Sequence, residues 1–242
     1  MSAGGELRMD DVVAGYDADH PVLRGVTLRA APSRLTVVLG PNGAGKSTAL
    51  KVMSGFLPPV SGRVTVGDDD ITELPAHRRL ERGIALLPQG RSTFPDLTVA
   101  ENLELGGWPW RSDRARLRRG IDEVLARYPV LAELRRRPAG SLSGGQQRTL
   151  EIARLLVTGP NVLLIDEPSA GLSPIVASQV YRELATLKKE GRTILLVDQD
   201  VRAAISIADY VYVLNSGKND IEGDRSAFEG DLGAMVRGWL GV

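Results

Sequence analysis

Nine residues from Gly40 to Thr48 have the types and spacing that could hold the phosphate chain of a nucleotide. They fit the pattern G-x-x-x-x-G-K-[ST] and read Gly40-Pro41-Asn42-Gly43-Ala44-Gly45-Lys46-Ser47-Thr48. Glycines let backbone N–H groups approach phosphate oxygens, and the N-terminus of a following helix adds partial positive charge. We expect Lys46 to reach the β- and γ-phosphates and the Ser47 hydroxyl to bind Mg²⁺.

Two neighbouring carboxylates, Asp166 and Glu167, follow the apolar run at residues 162–165. The carboxyl end of a buried parallel strand is where α/β proteins bind ligands. We expect Asp166 to hold the Mg²⁺, directly or through water, and Glu167 to polarise an attacking water as general base. An isolated Asp-Glu pair would more simply cap a turn, but this chain also carries the phosphate loop.

The run Leu142-Ser143-Gly144-Gly145-Gln146 precedes a segment with apolar residues at helical spacing. Ser143 is a good helix N-cap, and the two glycines leave the helix N-terminus uncovered. The run is therefore either an ordinary cap or a second anion site. A second phosphate site in this chain makes sense if it serves the nucleotide of a neighbouring subunit.

Apolar and alternating segments predict the strands that would position these loops. They lie at residues 7–13, 26–30, 35–39, 64–66, 84–87, 162–165, 193–197 and 210–214. The near-continuous apolar runs at 35–39, 162–165 and 194–197 are typical of parallel strands buried on both faces. The earlier strands alternate more and suit an antiparallel sheet. Helices are expected after Lys46, Ser143, Pro174 and Asp200, so the second half reads βαβ.

Residues 97–140 carry a helical pattern alone, with apolar residues on one face. The arginines of this stretch lie mostly off that face, and we interpret them as solvated. The sequence thus predicts an α/β fold with a mainly parallel sheet, an N-terminal antiparallel β subdomain and an inserted helical subdomain at about residues 90–158.

The bulk composition narrows the chemistry further. Lys plus Arg and Asp plus Glu each number 30, which gives no support for a nucleic-acid partner. The chain has no cysteine and two histidines, so thiolate and His-built metal sites are excluded. It lacks a signal-peptide pattern, and its apolar runs are shorter than the roughly 20 residues of a membrane span. We expect a soluble, intracellular protein.

The chain resembles the nucleotide-binding subunit of an ABC transporter in the order of its motifs. These are the phosphate loop, Gln89, the 142–146 run, Asp166-Glu167 and a switch segment at Gln199. The resemblance covers essentially all of residues 1–242. It implies the ABC ATPase core, a P-loop NTPase fold, and a head-to-tail dimer with two ATP molecules. Each ATP would lie between the phosphate loop of one subunit and Ser143, Gly144, Gly145 and Gln146 of the other.

The resemblance also implies roles for single residues. Tyr16 lies where the family stacks an aromatic side chain on adenine, although a strand-end tyrosine is common. Gln89 matches the residue that senses Mg²⁺ and contacts the membrane subunit. Gln199 stands where most members have a histidine near the γ-phosphate, and a glutamine can donate a hydrogen bond but carries no charge. Catalysis would rest on Lys46, Glu167 and Gln199.

A glutamine at position 199 is typical of the ATPase subunits of branched-chain amino acid importers, which residues 88–95, 97–103 and 171–174 also resemble. That branch often has Glu where this chain has Gln89. Val201-Arg202 resembles the lipopolysaccharide-export ATPases, so lipopolysaccharide, amide or urea transport are alternatives. An ABC ATPase of nucleic-acid or ribosome work is disfavoured by the single cassette and zero net charge. A non-hydrolysing cassette is disfavoured by the intact Lys46, Asp166 and Glu167.

The branch implies a set of partners for an importer ATPase. A second ATPase subunit, similar but non-identical or a second copy, would complete the dimer. Integral membrane permease subunits would be moved by its closure, and a solute-binding protein would act indirectly. The chain would lie at the cytoplasmic face of the membrane.

Overall fold

The computed structural model describes residues 5–17 and 19–228, which form two β-sheets and eight α-helices. The strands are β1 (Leu7–Ala14), β2 (Leu23–Ala30), β3 (Leu35–Leu39), β4 (Ser61–Val66), β5 (Asp69–Asp70), β6 (Ile84–Leu87), β7 (Val162–Asp166), β8 (Thr193–Val197), β9 (Tyr210–Asn215) and β10 (Lys218–Asp224). The helices are α1 (Lys46–Met53), α2 (Ala76–Glu81), α3 (Val99–Gly106), α4 (Arg114–Arg127), α5 (Pro129–Glu133), α6 (Gly144–Leu156), α7 (Pro174–Lys189) and α8 (Val201–Ile207).

The N-terminal sheet has the order β2-β1-β4-β5, and its strand pairs are antiparallel. The larger sheet has the order β10-β9-β3-β8-β7-β6. Its strands from β9 to β6 are parallel, and β10 is added antiparallel at the edge. The expected fold class, with a mainly parallel sheet and a separate antiparallel one, is confirmed.

Apolar layers cover both faces of the larger sheet. Alternate residues of β3 point to opposite sides, so Leu35 and Leu39 pack with the layer of α6 and α7, and Val38 packs with α1 and the antiparallel sheet. For this reason, all five residues are buried in each of the strands β3, β7 and β8. The uninterrupted apolar runs in the sequence reflect burial on two faces.

All eight expected strands are present within these elements, and the four expected helices begin where predicted. The structure adds β5, β10 and α2, none of which was anticipated. Between β6 and β7 the regular elements are α3 to α6 and two short 3₁₀ turns, Trp108–Trp110 and Ala139–Ser141. The boundary of a helical subdomain at about residues 90–158 remains a prediction. Among the described helices, none is long and apolar enough to cross a membrane.

Candidate active site

The loop from Gly40 to Gly45 joins the end of β3 to the start of α1. Gly45 precedes the helix with φ 103°, a left-handed conformation that favours glycine. A Cβ at Gly45 would also lie 2.7 Å from Leu23 Cδ2, so a side chain here would strain the backbone and force Leu23 to move. Pro41, Asn42 and Gly43 are the more accessible part of the loop, whereas Ala44 and Thr48 are buried. The strand–loop–helix context required for phosphate binding is therefore present.

Lys46 is buried and points its ammonium group back into the loop. Its Nζ donates hydrogen bonds to the main-chain oxygens of Gly40, at 2.7 Å, and Pro41, at 3.0 Å. Burial lowers the pKa of Lys46, and the carboxylates of Glu167 and Asp166 oppose that shift. The cation thus lies between the loop and the acidic end of β7, where it can bind a phosphate.

Ser47 and Asp166 bring together two oxygen ligands of the kind that Mg²⁺ prefers. Ser47 Oγ donates to Asp166 Oδ1 at 3.1 Å, and the Asp166 side chain is almost fully buried. Burial raises the pKa of Asp166, and the Ser47 hydrogen bond acts against that effect. A hydroxyl and a carboxylate are hard ligands, and Mg²⁺ is bound through few protein groups plus substrate phosphates. These residues fit a Mg²⁺ ion.

The Glu167 carboxylate lies between two side-chain amides. Gln89 Nε2 donates to its Oε2 at 2.5 Å, and Gln199 Nε2 donates to its Oε1 at 2.7 Å. Glu167 is 6% exposed, and its main chain has φ 45°, which is uncommon for a residue other than glycine. Each carboxylate oxygen is therefore oriented by one donor, and the group can accept a proton from a water molecule.

Tyr16 is a solvent-exposed aromatic residue beside the phosphate loop helix. It is 64% exposed, and its hydroxyl accepts a hydrogen bond from Lys51 Nζ at 3.0 Å. The same ammonium lies 5.1 Å from the ring centroid. Lys51 was not identified from the sequence. Its position one helical turn beyond Ser47 was the available signal, because residues four apart share a helix face.

Ser143 is the N-cap of α6 and forms a capping box with Gln146. Ser143 Oγ accepts from the Gln146 main-chain N–H at 3.3 Å, and Gln146 Oε1 accepts from the Ser143 N–H at 3.0 Å. Ser143 and Gly144 are exposed and line a cavity of about 510 Å³ with Gly145, Gln146, Leu172 and Ser173. Its lining, among described residues, includes none from the phosphate loop. This helix N-terminus thus does not share a cavity with the loop of its own chain.

Asp198, next to Gln199, was not assigned a role from the sequence. It is 3% exposed, and its Oδ1 accepts the main-chain N–H of Gln199 at 2.7 Å. Tyr181 OH donates to Oδ2 at 2.9 Å, and Ser169 Oγ donates to Oδ1 at 3.1 Å. Burial raises the pKa of Asp198 despite these hydrogen bonds. The carboxylate ties the segment after Glu167 to the backbone that carries Gln199.

Together these groups can bind the phosphates of a nucleotide, hold Mg²⁺ and activate water, which defines a P-loop ATPase. The second, outward-facing helix N-terminus at Ser143 narrows the class to ATP-binding cassettes. The model of the ABC transporter family matches residues 23–170. The chain belongs to this family, and it is an ATPase.

Individual relatives agree with this assignment. The chain is 36% identical to the high-affinity branched-chain amino acid transport ATP-binding protein BraG of Pseudomonas aeruginosa, over 86% of this chain and 88% of BraG. It is 40% identical to the probable branched-chain amino acid transport ATP-binding protein LivF of Archaeoglobus fulgidus, over 88% and 89%. It is 35% identical to the lipopolysaccharide export system ATP-binding protein LptB of Haemophilus influenzae, over 88% of each chain.

Solved structures show the same likeness. The ADP conformation of MJ1267, an ATP-binding cassette of an ABC transporter, superposes with a TM-score of 0.81 and 29% sequence identity. The match covers 95% of this chain and 97% of MJ1267. The family thus supports ATP as the nucleotide.

Proposed function

We propose that this chain is the ATP-hydrolysing, energy-coupling subunit of an importer for branched-chain or related amino acids. The observation that carries hydrolysis is the Glu167 carboxylate, held between two amides beside the Ser47–Asp166 pair. The names of BraG and LivF, together with Gln199 in place of a histidine, support the substrate class.

The chain's own residues divide the work of hydrolysis. The N–H groups of the phosphate loop and Lys46 bind and orient the phosphates. Ser47 and Asp166, with Gln89, would hold Mg²⁺, which supplies charge neutralisation at the phosphates when bound. Glu167 accepts the proton of the attacking water, and Gln199 fixes the direction of that carboxylate through its amide N–H. Tyr16 offers its exposed ring to adenine.

The second ATP contact comes from another subunit. Ser143, Gly144 and Gly145 form a helix N-terminus at a cavity whose lining, among described residues, includes none from the chain's own phosphate loop. Such a terminus binds anions, and a head-to-tail dimer would place it against the partner's nucleotide. We propose a similar but non-identical chain, or a second copy, as that partner. ATP would thus hold the dimer closed, and hydrolysis would release it.

A groove next to Gln89 supports contact with a membrane permease. It has a volume of about 630 Å³, and its lining includes Phe56, Leu80, Pro88 and Leu105. Phe56 is 67% exposed, so apolar surface is available to a partner helix. Pro88, which lines this groove, is next to Gln89, so movement of the permease would be connected to the hydrolysis site. The chain would then act at the cytoplasmic face of the membrane, with a solute-binding protein as an indirect partner and no nucleic acid.

Lipopolysaccharide export is the second candidate function, favoured by the 35% identity to LptB. The two candidates share the hydrolysis site and differ in the transported molecule. An amide or urea importer would share the same machinery, but no observation favours it.

Reconstitution tests the proposal. The chain would be co-expressed with the permeases and second ATPase of a branched-chain amino acid system from its own genome, and placed in proteoliposomes. We expect leucine-loaded binding protein to stimulate phosphate release and leucine uptake. Glu167→Gln should bind ATP, trap a closed dimer and transport nothing. Undiminished turnover in Glu167→Gln would reject Glu167 as the base, and failure to assemble with any amino acid permease would reject the substrate class.

A further inference from the structure

A buried ion pair on α6 lies outside the residues assigned so far. Arg148 and Glu151 are 4% and 3% exposed, and Arg148 Nη1 donates to Glu151 Oε2 at 2.7 Å. A buried pair is weak evidence for stability, because both ions lose their hydration. Its contacts with the hydrolysis site suggest another reason for its presence.

Arg148 contacts the main chain of the proposed general base. Its Nη2 donates to the carbonyl oxygen of Glu167 at 3.3 Å. On the other side, the Glu167 N–H donates to the Val197 oxygen at 2.8 Å. The Glu167 backbone has φ 45°, a conformation that persists in a non-glycine residue only when its surroundings impose it. The β8 strand therefore holds this backbone at its N–H, and Arg148 holds it at its carbonyl oxygen, which also accepts the main-chain N–H of Ala170 at 3.3 Å.

Glu151 contacts the loop that carries Gln89. Its Oε1 accepts the main-chain N–H of Ser92 at 2.6 Å, three residues beyond Gln89. Gln89 in turn donates to the Glu167 carboxylate. The contacts close a ring from Glu167 through Arg148, Glu151 and the 89–92 segment back to Glu167. One ion pair thus holds both the backbone of the base and the loop of the amide that orients it.

We propose that Arg148 and Glu151 are positioning residues for hydrolysis, which set the direction of the Glu167 carboxylate through the Glu167 backbone and the Gln89 loop. The pair lies on the helix whose N-terminus, at Ser143, would bind the partner's ATP. This inference rests on the proposed function. Because α6 would bind the partner's ATP at its N-terminus, the position of α6 would control the orientation of Glu167 in the chain's own site.

The test is Arg148→Lys, which keeps the charge beside Glu151 but lacks the fork that reaches two acceptors at once. We expect kcat for ATP hydrolysis to fall by about ten-fold or more, the loss typical of one charge-assisted hydrogen bond. KM and the affinity for ATP should stay within about two-fold, since neither residue touches the phosphate loop. Glu151→Gln, which keeps the shape of the side chain, should lower kcat in the same way.

Arg127→Lys is the matched control. Arg127 is an ion-paired arginine that joins α4 to Glu183 and Glu190 of the α7 segment, and it has no part in the site. The Arg127→Lys variant should be less stable than wild type and keep its kcat for ATP hydrolysis. If Arg148→Lys and Glu151→Gln keep wild-type kcat, or if their activity loss only follows their thermal unfolding, the positioning role is wrong.

A further measurement separates this inference from the proposed function. In the Glu167→Gln background, Arg148→Lys should still form the closed ATP dimer, because the pair acts on the base and not on ATP binding. Loss of the closed dimer would contradict the inference. A wild-type chain without Glu167-dependent hydrolysis would instead overturn the proposed function.

Discussion

Alanine substitution of Gln89 and Gln199, singly and together, tests whether both side-chain amides act through the carboxylate of Glu167. Gln89→Ala removes the donor to Glu167 Oε2, and Gln199→Ala removes the donor to Oε1. Each variant leaves the other donor in place. The double variant leaves the carboxylate without either side-chain amide.

The structure sets the expected size of each effect. A hydrogen bond to a charged group contributes about 1.5–3 kcal/mol. Gln89 and Gln199 are both exposed, so water can replace part of each bond, and the lower value applies. We therefore expect each single substitution to lower kcat by about ten-fold, at 1.36 kcal/mol for each factor of ten. Once one amide is lost the carboxylate can rotate, so the double variant should lose about thirty-fold, where additive effects would give about a hundred-fold. The difference is a coupling energy of about 0.7 kcal/mol.

The assay is steady-state phosphate release at saturating Mg-ATP, with folding checked by circular dichroism. Repeating the Gln199→Ala change in the Glu167→Gln background supplies the control, because with the base removed the amide has nothing left to orient. Additive losses, within about 0.3–0.5 kcal/mol, would show that the two glutamines act independently. A rise in kcat would show that the amides restrain Glu167, and either result would refute the reasoning.

Two stability predictions accompany this one. Arg79 is 1% exposed, and its guanidinium donates to four main-chain oxygens, those of Val52, Met53, Thr72 and Leu74. Arg79→Met leaves these oxygens without that donor, so it should lower the free energy of unfolding by about 2–4 kcal/mol in urea titrations. A loss no larger than that of an ordinary surface substitution would contradict this. Burial raises the pKa of Asp198 in the folded protein above its value near 3.9 in the unfolded chain. Ionisation of Asp198 therefore lowers the free energy of unfolding as the pH rises from that unfolded-state pKa through the folded-state pKa. Asp198→Asn removes that cost, so the free energy of unfolding of the variant relative to wild type should be more favourable at pH 7.5 than at pH 4.5 in urea titrations. An equal difference at both pH values would show that the carboxyl group is not the cause.

Local sequence patterns predicted the elements whose burial is simple. β3, β7 and β8 are buried on both faces, and a short uninterrupted apolar run favours such a strand when its length is four to eight residues. β10 was missed because its seven residues, Lys218–Asp224, are polar except for Ile221 and Gly223 and pair only along one edge. The sequence did carry a turn signal in the dipeptide Ser216-Gly217. In the structure these residues have φ 49° and 79°, the positive values that a tight hairpin turn needs.

Contiguous motifs were readable, whereas contacts between distant residues were not. The phosphate loop and the 142–146 run each carry their context in adjacent residues. Arg148 and Glu151 are three apart on a helix, a spacing that usually indicates a solvated surface pair. Their burial and their contact with Glu167 depend on how α6 packs against the sheet, which no local pattern specifies.

The sheet order explains why one glutamate meets two amides. β6, β7 and β8 are adjacent parallel strands, so their carboxyl ends lie at one edge of the sheet. Gln89 follows β6 by two residues, Glu167 follows β7 by one, and Gln199 follows β8 by two. Since β7 lies between its neighbours, the base has one amide on each side. A histidine or a glutamine at position 199 would occupy the same place relative to Glu167, because the strand order fixes that place. Substitution there changes the charge and donor of the group and leaves the architecture of the site intact.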